Sequence, residues 1–182
     1  MSKLYTRTGD DGFTGRLGEG RLPKNDPLFE AIGAVDEATA ALGLARAISN
    51  ALQTKTLLLD TQKDLYYLMA ELSATKENTE RFRKIDELRV LWLEEQTDAL
   101  QAQVNLPNEF IVPGDSIAGA HMAVARTLVR RAERQVAGLF NSGVIENVNL
   151  LRYLNRLSSL CFILELLENE ISGKFQPTLA KD

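Results

Sequence analysis

Two stretches of this sequence carry residues whose types and spacing suit the binding of an anion. The first is Tyr5-Thr6-Arg7-Thr8-Gly9-Asp10-Asp11-Gly12-Phe13-Thr14-Gly15-Arg16. Gly9, Gly12, Gly15, Gly18 and Gly20 crowd into a dozen positions, and glycine lets successive backbone N–H groups converge on one anion. Thr6, Thr8 and Thr14 add hydroxyl donors, while Arg7, Arg16, Arg21 and Lys24 add positive charge. It is not a Walker A loop. Gly15 and Gly20 have that spacing, but Arg21-Leu22 follows where Lys and Ser or Thr are required. The composition allows a flexible polar arm or a phosphate-binding loop, and the interleaved threonines and cations favour the loop.

The second stretch is Arg126-Thr127-Leu128-Val129-Arg130-Arg131-Ala132-Glu133-Arg134. On a helix Arg126, Arg130 and Glu133 share one face, Arg134 lies at its edge and Arg131 points away. A solvated face with Arg130 and Glu133 as neighbours is one reading. A phosphate clamp is the other, since guanidinium groups bind phosphate oxygens bidentately. Two smaller features accompany these. Asn155-Arg156 interrupts a leucine-rich helix, as a buried hydrogen-bonding anchor or an interface contact would. Asp36-Glu37 places two carboxylates in an alanine-rich stretch, available to a basic partner.

Other chemistries are set aside on composition. The single histidine, His121, has Ile117-Ala118 behind it, not the Glu-x-x-His of a di-iron bundle, and a triad would depend on the same residue. One His and one Cys are too few for a zinc site, so no protein metal site is expected, and Cys161 reads as a small core residue. Lys and Arg total 21 against 25 Asp and Glu, giving a net charge of -4, with no global attraction to nucleic acid or anionic membrane. Apolar runs such as residues 160–164 are too short to span a bilayer, and residues 1–6 hold no signal-like stretch. A soluble, cytoplasmic protein is expected.

The elements that must hold these residues are helical. Asn25-Asp26-Pro27 reads as a cap with proline at the first helical position, opening a helix over about 26–49 with Leu28, Ile32, Val35 and Leu42 on its stripe. A second helix spans about 51–75 with Leu58, Leu65, Leu68 and Leu72, and the charged stretch 76–83 reads as a loop. Ile85, Leu88, Trp92 and Leu100 mark a third helix. Phe110-Ile111-Val112-Pro113-Gly114 is an apolar segment between breakers, after Pro107. Asp115 or Ser116 can cap a fourth helix carrying Ala120, Val124, Leu128, Ala132, Val136 and Leu139 to Asn141. The fifth, about 145–171, carries Val148, Leu151, Leu154, Leu157, Cys161 and Leu164, and Gly173 closes it. With 182 residues and 45% hydrophobic content, one domain is expected. It is an all-α five-helix bundle (26–173) behind a glycine-rich N-terminal loop (1–25), with a tail (174–182).

Taken in order, these segments resemble the PduO-type ATP:cob(I)alamin adenosyltransferases over nearly the whole chain. The matching pieces are Tyr5 through Gly12, Arg21-Leu22-Pro23-Lys24, Glu30-Ala31-Ile32-Gly33-Ala34-Val35-Asp36-Glu37 with Ala41-Leu42-Gly43, Phe110 through Gly114, Ala125 through Arg134, and Tyr153-Leu154-Asn155-Arg156-Leu157-Ser158. The resemblance implies a homotrimer binding ATP and a corrinoid between adjacent subunits. It also implies transfer of the 5′-deoxyadenosyl group of ATP to Co(I) of cobalamin, with triphosphate released. It implies an ATP loop of Thr6, Arg7, Thr8, Gly9, Thr14, Gly15 and Lys24, and a helical side of Arg130, Arg131, Glu133, Arg134 and Asn155. Mg²⁺ would be held mainly by the phosphates. Asp36 and Arg126 resemble a pair that meets across the subunit interface, and Phe110 resembles the aromatic residue on the lower axial face of the corrinoid. Lys24, Arg130 and Phe110 are thereby the expected catalytic residues. A reductase and an adenosylcobalamin-dependent acceptor enzyme are the implied partners. The sequence departs from the family pattern at Arg16, Asp115, Ala123, Ser159 and Leu166. Those departures keep a non-catalytic nucleotide or corrinoid carrier, or sensor, as the alternative.

Overall fold

The computed structural model describes residues 5–181, so residues 1–4 of the expected loop and residue 182 of the tail lie outside it. Five long helices form the bundle: α1 (Pro27–Ile48), α2 (Leu52–Ser73), α4 (Glu87–Gln101), α5 (Ile117–Asn141) and α6 (Val148–Ile171). The charged stretch expected as a loop contains one helical turn, α3 (Thr79–Phe82). The glycine-rich segment contains two short antiparallel strands, β1 (Phe13–Gly15) and β2 (Arg21–Pro23), with Thr14 opposite Leu22.

Local chemistry accounts for the helix starts. Asp26 accepts a hydrogen bond from the Leu28 N–H at 2.9 Å, with Pro27 beginning the helix. Of the two candidate caps on α5, Ser116 is the one used, accepting from the Gly119 N–H at 2.9 Å. Gly119 cannot be larger there, since a Cβ would lie 2.1 Å from the Asn169 side-chain oxygen.

α5 packs on both α1 and α6, with α2 against α1 and α4 against α6. Both α1 and α5 bury alanines (Ala31, Ala38 and Ala45; Ala125 and Ala132), which lets helices approach closely. α6 is buried almost all round from Leu160 to Asn169, as a central helix must be. Cys161 is in this core, where burial pushes its thiol up to about 12. Three expected stripe residues face outward instead: Leu88 is 74% exposed, Val124 54% and Val148 36%. α4 turns Val90, Leu93 and Leu100 inward, and α5 turns Met122, Ala125 and Val129 inward.

A buried polar network ties α2, α4 and α6 together. The Asp64 carboxylate accepts from Arg89 Nε at 2.8 Å and from the Tyr153 hydroxyl at 2.5 Å. Burial and the adjacent Asp64 push the Tyr153 phenol well above its ordinary pKa. Asp64→Ala strands a buried hydroxyl and a half-buried guanidinium. The expected cost is roughly 3 kcal/mol of stability, read from urea unfolding. No helix among the described residues is long and apolar enough to cross a membrane.

Candidate functional site

The glycine-rich segment is a built loop, not a free arm. Residues 7–12 form two successive turns, with Asp10 N–H donating to Arg7 C=O and Gly12 N–H to Gly9 C=O. Arg7 itself sits at φ 62°, an unusual conformation for a residue with a Cβ. Arg21, expected to supply charge to an anion, is engaged here: it pairs with both Asp11 oxygens at 2.8 Å and donates to the Thr8 and Phe13 carbonyls. That pairing holds the Asp11 carboxyl below its ordinary pKa. Arg16 donates to the Ala74 carbonyl at the end of α2, and the Leu17 N–H donates to the Ser73 carbonyl at 2.9 Å. The hairpin is therefore docked on the bundle.

What the loop leaves available is Thr6, Thr8 and Lys24. The two hydroxyls lie 2.8 Å apart. A Cβ at Gly9 would lie 3.0 Å from Lys24 Nζ, so the glycine leaves room for the ammonium. Thr14 and Gly15 form part of β1 beside these turns.

The helical residues form a second group. Asn155 on α6 donates to Glu133 on α5 at 2.9 Å, and Arg156 donates to Asn155 at 2.9 Å and to Glu94 on α4 at 2.7 Å. Asn155 is thus an exposed bridge between helices and not a buried anchor. Arg130 and Arg134 are exposed with no ion pair among the described residues, although Arg131 pairs with Glu37 on α1. Arg131 is accordingly held toward α1, away from the Glu133–Asn155 bridge. Asp36 is exposed on α1.

Phe110, 88% exposed, borders a cavity of about 350 Å³ with Ile111, Arg126 and Phe162. A neighbouring cavity is lined by Arg126, Arg130, Ser158, Ser159 and Phe162. Arg126 and Phe162 line both, so Phe110 and Arg130 border neighbouring cavities on the two sides of these residues. Among the described residues no hydrogen bond or ion pair joins the glycine loop to Arg130, Glu133, Arg134 or Asn155 within the chain. Neither β1 nor β2 contacts α5 or α6, so the two groups lie apart within this chain.

The sequence profile of the cobalamin adenosyltransferase family matches residues 4–168. The chain belongs to that family. It is similar to the corrinoid adenosyltransferase of Bacillus subtilis strain 168, at 38% identity over 175 residues covering 94% of this chain and 89% of that protein. The corrinoid adenosyltransferase of Citrobacter freundii is 36% identical over 169 residues, covering 92% and 96% of the two chains. A variant PduO-type ATP:corrinoid adenosyltransferase from Lactobacillus reuteri, solved complexed with cobalamin and ATP, superposes with a TM-score of 0.87. It is 32% identical, over 99% of this chain and 100% of that one.

Within this adenosyltransferase-family fold, Phe162 and Glu165 on α6 join the residues near Arg126. Phe162 follows Asn155 and Ser159 at helical spacing, so its place on the same face could have been read from periodicity. Glu165 could not. It is buried on α6 with one carboxylate oxygen unbonded, and the Nε of Arg126 is likewise buried and unbonded. Burial pushes its carboxyl up to about 7, with nearby Arg126 opposing and Asp115 adding to the rise. The folded protein therefore keeps a proton that the unfolded chain releases between about pH 4.5 and 7, and stability falls as pH rises through that window. The expected loss is about 3 kcal/mol, largely complete by about pH 8. Glu165→Gln should remove this part of the pH dependence in urea unfolding; an unchanged pH slope would contradict the assignment. Among the described residues, no group of three His, Cys, Asp or Glu side chains could hold a metal ion.

Proposed function

We propose that this protein transfers the 5′-deoxyadenosyl group of ATP to cob(I)alamin, giving adenosylcobalamin and triphosphate. The observation that carries the reading is the pair of neighbouring cavities that share Arg126 and Phe162, with Phe110 bordering one and the unpaired Arg130 the other. An aromatic face suited to a planar macrocycle and a cation suited to a polyphosphate share one surface. Membership of the cobalamin adenosyltransferase family supports the same assignment.

In this reading the Co(I) electron pair attacks the ribose C5′. The cobalt–carbon bond forms as the C5′–O bond breaks, and that bonding pair leaves with the triphosphate. The corrinoid carries the hard step. The protein orients the two reactants and neutralises the leaving group. Arg130, Arg134 and Lys24 supply the charge, with Arg131 a further candidate if it leaves Glu37. Thr6, Arg7, Thr8, Gly9, Thr14 and Gly15 cradle the phosphates, and Glu133 and Asn155 fix the nucleotide. Mg²⁺ travels with the phosphates. Phe110 covers the lower face of the corrinoid and favours four-coordinate cobalt.

The separation of the loop from the helical face within one protomer supports a site completed by a second copy. A homotrimer closes such a head-to-tail arrangement. Exposed Asp36 on one subunit would then meet Arg126 on its neighbour. A reductase supplying Co(I) and an enzyme consuming adenosylcobalamin complete the proposal, in the cytoplasm.

The reading is tested by mixing protein, ATP, Mg²⁺ and chemically reduced cob(I)alamin without oxygen and following the absorbance change as the cobalt–carbon bond forms. Many ATP-dependent turnovers are expected. Ligand binding without product would favour the carrier or sensor, and would turn attention to Asp115, Ala123, Ser159 and Leu166.

A further inference from the structure

The tail after α6 folds back onto the segment that carries Phe110. Val112 N–H donates to the Thr178 carbonyl and Ala180 N–H to the Phe110 carbonyl, both at 2.7 Å, with Ile111 opposite Leu179 in an antiparallel bridge. Among the described residues these are the only backbone–backbone hydrogen bonds made by residues 106–114. Pro107 precedes that segment and Pro113-Gly114 follows it, Gly114 at φ 131°, so no helix can take over its support. The Phe110 ring, largely exposed, has little packing of its own to orient it. Its direction depends on its backbone.

A carboxylate holds the tail in place. Asp115 accepts from the Thr178 N–H at 3.0 Å and from the Thr178 hydroxyl at 2.6 Å. Hydrogen bonds to an ionised acceptor are the stronger kind, and these hold the Asp115 carboxyl below its ordinary pKa. The start of the tail is tied as well: Lys174 N–H donates to the Asn169 carbonyl at 2.9 Å, and Ser116 donates to the Asn169 side chain at 2.7 Å. Thr178 of the tail thus meets Asp115, while Asn169 of α6, on which the tail begins, meets Ser116.

We propose that Asp115 is a positioning residue: through Thr178 it locks residues 178–180 as a strand on residues 110–112, and so sets Phe110 over the cavity shared with Arg126 and Phe162. Its effect on the corrinoid rests on the proposed transferase function; the latch itself does not.

The test compares Asp115→Ala, Thr178→Val, Thr178→Ser and deletion of residues 174–182, by amide hydrogen exchange and by steady-state kinetics. Exchange at the Val112 and Ala180 amides is expected to quicken about tenfold in Asp115→Ala and Thr178→Val. KM for cob(I)alamin should rise by a similar factor, with KM for ATP unchanged. Thr178→Ser keeps the hydroxyl and should match wild type. Asp115→Ala placed in the deleted chain should add nothing further. Unchanged exchange at both amides would overturn the latch. Faster exchange with an unchanged corrinoid KM would overturn the positioning of Phe110. A wild-type protein with no transferase activity would sink the functional reading and the Phe110 role together, while exchange would still decide the latch.

Discussion

Arg130→Ala is expected to slow adenosyl transfer by about 10²- to 10³-fold, the usual consequence of removing one donor aimed at developing charge. The loss should fall mainly on kcat. Negative charge accumulates on the triphosphate as the C5′–O bond breaks, so the arginine is worth more in the transition state than in the ground state. The bundle should not suffer. Arg130 is exposed and makes no ion pair among the described residues, so truncating it strands no buried partner and the thermal midpoint should be unchanged. Arg130→Lys keeps the charge but loses the planar fork, and an intermediate rate is expected. Single-turnover kinetics on the anaerobic enzyme measures both variants. A rate for the alanine variant within a factor of about three of wild type would remove Arg130 from the reaction.

Lys24→Ala is expected to cost about 10²-fold in kcat/KM for ATP, with a raised KM as the larger part. The backbone of Lys24 is fixed by its N–H donating to the Gly12 carbonyl at 2.9 Å, so the side chain loses its charge without the loop losing its shape. Arg21 cannot substitute, since Asp11 and two carbonyls already occupy it. Gly9→Ala supplies an independent check. Its Cβ would lie 3.0 Å from Lys24 Nζ and push the ammonium aside. Because the far end of a lysine moves readily, a milder loss is expected there, on ATP binding alone. Calorimetric ATP binding to both variants reads the difference. Wild-type affinity in Lys24→Ala would contradict the role given to the loop.

Much of this architecture was legible in the chain. Caps such as Asp26 and Ser116, breakers such as Pro107 and Gly173, and leucines at helical spacing place the long helices to within a few residues. Burial was less legible. Leu88 and Val124 fit an apolar stripe but point outward, because periodicity marks a face without saying what the face meets. The hairpin leaves no sequence signal, because three-residue strands are shorter than any alternation that can be read. Nonlocal pairings leave no local signal. Asp115 looked like a second helix cap and holds the tail, 63 residues away; Glu94 gave no sign of its bond to Arg156.

For the site, residue types and the family resemblance named the parts, and the fold groups them. Arg126 and Phe110 border one cavity, Glu133 and Asn155 are directly bonded, and Arg130 lines a neighbouring cavity with Arg126. The loop with Lys24 stands apart.

Mixing Lys24→Ala and Arg130→Ala subunits bears on this most directly. Each variant alone should be nearly inactive. If the loop of one subunit serves the helical face of the next, equal random mixing leaves roughly a quarter of the sites with both residues intact, and about a quarter of the wild-type transfer rate should return. If loop and face act within one subunit, every site in the mixture lacks one residue. No recovery in demonstrably mixed oligomers would contradict a site shared between subunits.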